Sequence, residues 1–247
     1  MSLEAPALVG LVVIVAFAFT VEAALGFGST LVTVSLGVLF VPLDQLLPAF
    51  VPLNVVLSSV IVARHHRDLD RRLLFLWVLP LMALGLPLGW WAFQNLDRTL
   101  SLRTLGVVVG TLALLQLYRQ RDGGRPRKVL PRGPAALLLV MAGVVHGAFA
   151  TGGPLVVYVL GQQQNKSNFR VTLSALWLIL NLVLIGGYLT AGQLTSTTLQ
   201  LSLPLALGLA FGLIAGERLF RSVPEPQFRV GVYALLLLAA ILMFFRA

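Results

Sequence analysis

The sequence predicts an all-α integral membrane protein built as an inverted internal repeat, each half a broken re-entrant helical hairpin plus three transmembrane helices. Three observations carry that reading. Of the 247 residues, 58% are apolar and 11% charged, with mean hydropathy +0.92, whereas a soluble domain carries about 25% charged residues. Two apolar stretches break in the same manner, "TVEAALGFGSTLVTVSLG" at 20–37 and "VVHGAFATGGPLVVYVLG" at 144–161. The basic residues collect in a few short loops, which sets an orientation.

The unbroken apolar runs are 5–21, 73–93, 102–118, 169–189, 199–215 and 230–245. Each approaches the roughly 20 residues a helix needs to cross the hydrocarbon core. A helix satisfies its own backbone hydrogen bonds in lipid, and the ten-residue alternation of an outer-membrane barrel is absent. The first run lacks a basic leader and an A-x-A-like site, so it is expected to remain as a helix. With no cysteine there is no thiolate metal site, thiol nucleophile or disulfide, and no metal or other cofactor is expected. The net charge of +9 is accounted for by the loops, so no nucleic-acid partner is expected.

Residues 64–72, 119–132, 161–170 and 217–229 hold fifteen of the eighteen Lys and Arg, and are placed on the cytoplasmic side. Arg98, Arg103, Arg246 and the uncharged stretch 191–198 go outside. The first half, residues 1–118, and the second, 134–247, separated by a basic linker at 119–133, keep a common order of motifs. Val21–Val32 lies over Val145–Val156 without a gap, pairing Glu22 with His146 and Gly28 with Gly152. The basic loop 64–72 then corresponds to the uncharged loop 191–198. Copies on opposite faces must be inverted, and a hairpin plus three spans per half gives the required parity. Inverted repeats with discontinuous helices are characteristic of secondary transporters.

Non-helical backbone at membrane depth survives only where protein or water covers it, so both breaks should face inward. A second short helix is expected to begin near Ser29 or Thr30 in the first copy and at Pro154 in the second, proline being favoured at the first helical position. Each helix start exposes free N–H groups and the positive end of the dipole, worth roughly 0.3–2 kcal/mol per anion contact. Two such starts would cradle a small anion. Gly26, Gly28, Gly147, Gly152 and Gly153 permit close backbone approach, and Ser29, Thr30 and Thr151 add hydroxyl donors; equally, the glycines can serve helix packing.

Glu22 and His146 are the ionisable acid and imidazole well inside the apolar runs, and such groups are functional candidates. Glu22 is read as coupling proton movement or gating the cradle, and His146 as touching the substrate or its counter-proton; the alternative makes Glu22 a cap on its own helix turn and His146 a core residue. Asn54 and Asn181, at matching places in flanking spans, either line the cradle or bridge helices. Trp177, Tyr158 and Gln162 are weaker candidates for the site, and packing or interface anchoring is the favoured reading for them.

"GFGSTLVTVSLGVLF", "GAFATGGPLVVYVLG" and the "RHHRDLDRRL" loop resemble the sulfite exporter TauE/SafE family, also called TSUP, over nearly the whole chain. The family's first copy usually reads G-x-G-G-G; here Gly26 and Gly28 fit, whereas Ser29 and Thr30 occupy the last two places. The resemblance implies movement of sulfur oxyanions or organosulfonates, such as sulfite or sulfoacetate, across the bacterial inner membrane, commonly outward. The residues alone predict a secondary transporter for a small anion in the lipid bilayer, with protons as coupling ion and a homodimer as a possible assembly. A passive anion channel and an intramembrane enzyme are the alternatives; the second lacks H-E-x-x-H, G-x-S-x-G and a metal-ligand cluster.

Overall fold

The computed structural model describes residues 4–121, 130–160 and 166–222, together with 224, 234, 237–238 and 240–241. Among the described residues there are helices and no strands. They are α1 (Ala5–Leu25), α2 (Ser29–Gly37), α3 (Leu43–His65), α4 (Arg71–Asn95), α5 (Arg98–Arg121), α6 (Arg132–Phe149), α7 (Gly153–Leu160), α8 (Lys166–Thr190) and α9 (Ser196–Ser222). A short 3-10 turn, His66–Asp68, follows α3. Residues 122–129 of the basic linker, Gln162, and most of the last expected span, 230–245, lie outside the described residues.

Six helices, α1, α3, α4, α6, α8 and α9, are long and apolar enough to cross a membrane. Their outward faces carry Leu203 at 73% exposure, Leu84 at 71% and Leu76 at 70%, a surface that hydrocarbon and not water covers. The chain is an all-α integral membrane protein. Prolines inside spans, Pro48 and Pro52 in α3 and Pro204 in α9, are tolerated because neighbouring groups re-satisfy the freed backbone.

The chain divides into two compact units, each drawing on both sequence halves: residues 1–80 with 164–221, and 81–163 with 222–247. In the first unit α3 packs along α8 more extensively than any other pair of helices, and α1 folds back on α2. Its core joins Leu11, Val15 and Phe19 of α1 to Leu46, Phe50 and Leu57 of α3 and Leu205 of α9, with the Phe19 and Phe50 rings stacked at 4.8 Å. Gly208, Gly212 and Gly216 let α9 touch α1 backbone to backbone: a Cβ at Gly208 would stand 2.9 Å from the Val12 carbonyl oxygen, and one at Gly216 2.5 Å from the Ala23 Cβ. The rising register means α1 and α9 run in the same direction. In the second unit α4 and α6 make a similar close approach, with Gly85 and Gly89 set against Val140 and Val144, and Gly143 against Met82.

Candidate functional site

The first break begins where α1 ends. Gly26 takes the left-handed conformation at φ +83°, its N–H donating to the Glu22 carbonyl at 2.7 Å, and Gly28 follows at φ +108°. L side chains rarely adopt either conformation. The Gly26 Cα also rests on α8, where a Cβ would come within 2.8 Å of the Arg170 Cα. From the same helix Trp177 Nε1 donates to the Gly26 carbonyl at 2.8 Å. Two contacts to α8 therefore hold the turn.

The depth of this turn differs from a midpoint break. α1 runs for 21 residues, about 31 Å at 1.5 Å per residue, before it turns beside Arg170, the fifth residue of α8. That is the end of the unit where the basic loop 64–72 meets α8, through Asp70 N–H to Thr172 Oγ1 at 3.2 Å, and α9, through His65 Nε2 at 3.9 Å from Glu217 Oε1, and where Lys166 Nζ of α8 donates to the Phe220 carbonyl of α9 at 2.6 Å.

α2 starts at Ser29, as the sequence leads one to expect. The partner of its first amide was not foreseen. Ser29 N–H donates to Glu22 Oε2 at 3.1 Å and Ser29 Oγ donates to the same oxygen. Asn54 Nδ2 of α3 donates to Glu22 Oε1 at 3.0 Å and to Ser29 Oγ at 2.8 Å. The Asn54 Oδ1 accepts from Asn181 Nδ2 of α8 at 2.9 Å and from Ser58 Oγ at 3.3 Å. Glu22, Ser29, Asn54, Ser58 and Asn181 are all buried.

With Glu22 as a carboxylate, which only accepts, Asn54 turns its amide N–H groups toward Glu22 and Ser29 and leaves its carbonyl oxygen for Asn181. The hydrogen bonds run from α8 through α3 to a single carboxyl at the amino end of α2. Asn181 Oδ1 is buried with no partner among the described residues, a free acceptor at the far end. Thr33 Oγ1 and Ser35 Oγ on α2 are likewise buried without partners among them, and Thr30 is buried in its first turn.

The second break lies in the second unit and repeats the local device. Ala150, 124 positions after Gly26, takes the left-handed conformation at φ +52°, and its N–H donates to the His146 carbonyl at 2.7 Å. α7 starts at Gly153, one residue before Pro154. His146, Thr151, Gly152 and Gly153 are buried. Gly147 is inside α6, where a Cβ would lie 2.2 Å from the Leu86 carbonyl oxygen, and a Cβ at Gly152 would lie 2.6 Å from that of Ala142.

The first unit thus gathers Glu22, Gly26, Gly28, Ser29, Thr30, Asn54 and Asn181 at or beside one break. Two participants lie outside the residues the sequence singles out: Ser58, one helical turn after Asn54, and Arg170, which in the sequence is one of the loop charges; Trp177, a weaker candidate in the sequence, is brought to the break by its bond to Gly26. Arg170 is 3% exposed, and its Nη2 donates to Glu217 Oε2 at 2.6 Å.

A cavity of about 360 Å³ opens elsewhere in this unit, at the amino-terminal ends of α1, α3 and α9, between Leu8, Phe40, Gln45, Thr197, Gln200 and Pro204. It has no ionisable lining residue, and Glu22 is near the opposite end of α1.

The profile of a family described as Sulfite exporter TauE/SafE matches residues 11–243. A relative from Comamonas testosteroni, described as "Probable inner membrane transporter protein TsaS", is 28% identical over 162 residues, covering 65% of this chain and 66% of that protein. The chain thus spans just under two thirds of that relative's length. No solved structure matches. With six membrane-length helices and these similarities, the protein is a multi-pass inner-membrane protein. The chain belongs to the sulfite exporter TauE/SafE family of membrane transporters.

Proposed function

We propose that the protein is a secondary transporter that exports a small anion, with proton coupling through Glu22, and that it catalyses no reaction. The observation that carries this is the Glu22 carboxyl seated on the first amide of α2, the position that best receives an anion. The chain supplies its own tethered anion there. Protonation of Glu22 removes that charge and converts an acceptor oxygen into a donor. With the proton on Oε2, Ser29 N–H loses its carboxylate partner and becomes available to an arriving anion, while Oε1 still accepts from Asn54 Nδ2. Loss of the proton restores the carboxylate, which competes for the same donor and expels the guest. A monoanion and a proton are held together and released together, so the anion's own outward gradient drives export and carries the proton out with it.

The sulfur chemistry and the outward direction rest on the family description and not on the geometry. Sulfite, sulfoacetate or a similar oxyanion or organosulfonate is the proposed substrate. At the second break His146 is proposed to contact substrate or its counter-proton. Proteoliposomes containing the protein should accumulate radiolabelled sulfite above its external concentration when an inward proton gradient is imposed. Equilibration that ignores the proton gradient would instead make the protein a passive channel.

A further inference from the structure

We propose that Arg170 is a substrate-binding residue, a buried guanidinium that receives the oxyanion group beside the first break. This rests on the anion-transport reading and names a contact that Glu22, Ser29 and Asn54 do not supply.

Arg170 is 3% exposed, so its charge is out of water. Of its three guanidinium nitrogens only Nη2 has an acceptor, Glu217 Oε2 at 2.6 Å; Nε and Nη1 have none among the described residues. The guanidinium carbon lies over the Phe220 ring, 4.3 Å from its centroid, a contact that supplies no oxygen acceptor to Nε or Nη1. Glu217 is also shared: its other oxygen is 3.3 Å from Arg221 Nη2 and 3.9 Å from His65 Nε2. One carboxylate does not neutralise two arginines.

A buried guanidinium with unused in-plane donors is a costly arrangement that an oxyanion relieves. Sulfite and sulfonates present several acceptor oxygens on one centre and suit planar donors in a way that an ammonium does not match. The position fits as well. The Arg170 backbone is the surface on which Gly26 rests, so this cation stems from the residue that touches the turn between α1 and α2.

The test is binding of sodium sulfite to the detergent-solubilised full chain, read as ligand-dependent thermal stabilisation, for wild type, Arg170→Gln, Arg170→Lys and Glu217→Gln. Arg170→Gln and Arg170→Lys should each raise the apparent Kd at least tenfold. Glu217→Gln removes the competing carboxylate and should lower it several-fold, which keeps the proposal testable if the Arg170 variants do not fold. A wild-type Kd in a folded Arg170→Gln protein, or an unchanged or raised Kd in Glu217→Gln, overturns the role of Arg170 and leaves anion transport standing. A wild type stabilised by none of sulfite, thiosulfate, sulfoacetate, phosphate or acetate overturns both.

Discussion

Gly26→Ala tests the docking of the first break on α8, and its magnitude follows from two features of one residue. At φ +83° an alanine carries the left-handed penalty of about 1–2 kcal/mol. Its Cβ would also stand 2.8 Å from the Arg170 Cα, so backbone must retreat by about 0.6 Å to reach ordinary contact at 3.4 Å. Overpacking against unyielding neighbours costs about 1–3 kcal/mol, giving about 3 kcal/mol in all. For a chain of this size that lowers the unfolding midpoint by about 6–12 °C. Gly10→Ala is the control, because its nearest neighbours are Phe40 ring atoms at 3.5 Å and its φ is not left-handed; it should fall within about 0.5 kcal/mol of wild type. Thermal unfolding of both variants in detergent measures the difference. Equal midpoints for Gly26→Ala and Gly10→Ala would refute the reasoning.

Other perturbations read the network itself. Trp177→Phe keeps the ring packing but removes the donor to the Gly26 carbonyl, and should cost about 1–3 kcal/mol of unfolding free energy; a change under 0.5 kcal/mol would mean the bond does not hold the turn. Asn54→Leu strips an amide donor from Glu22 and the acceptor from Asn181, two buried groups at about 1–3 kcal/mol each, so it should lose about 2–6 kcal/mol together with sulfite flux. Normal flux in a folded Asn54→Leu protein would remove Asn54 from the path.

Much of this site was legible because polar residues stand out in apolar runs. Glu22, Ser29, Asn54 and Asn181 could each be named from the sequence, and the start of α2 followed from the glycines before it. Their pairing could not. Glu22 meets Ser29 across a turn whose two left-handed glycines reverse the chain, and Asn54 meets Asn181 over 127 positions by helix packing. The sequence therefore led to free N–H groups awaiting a substrate where the fold seats the chain's own carboxyl. Arg170 was hidden for a different reason. In a list of loop charges it is indistinguishable from Arg64 or Arg67, and only its place in the second turn of α8, under Phe220 and beside Glu217, separates it from them. The reach of α1 was also not apparent, since glycine spacing marks where a chain turns and not how deep.

The central claim is that the carboxyl on the α2 amino end carries the coupling proton, and Glu22→Gln addresses it directly because the amide keeps the size of the side chain and cannot ionise. In proteoliposomes with an internal pH indicator, an imposed sulfite gradient should drive a proton flux through wild type. The same gradient should drive none through Glu22→Gln, while radiolabelled sulfite still moves downhill. Proton movement through Glu22→Gln at the wild-type ratio to sulfite would contradict the account.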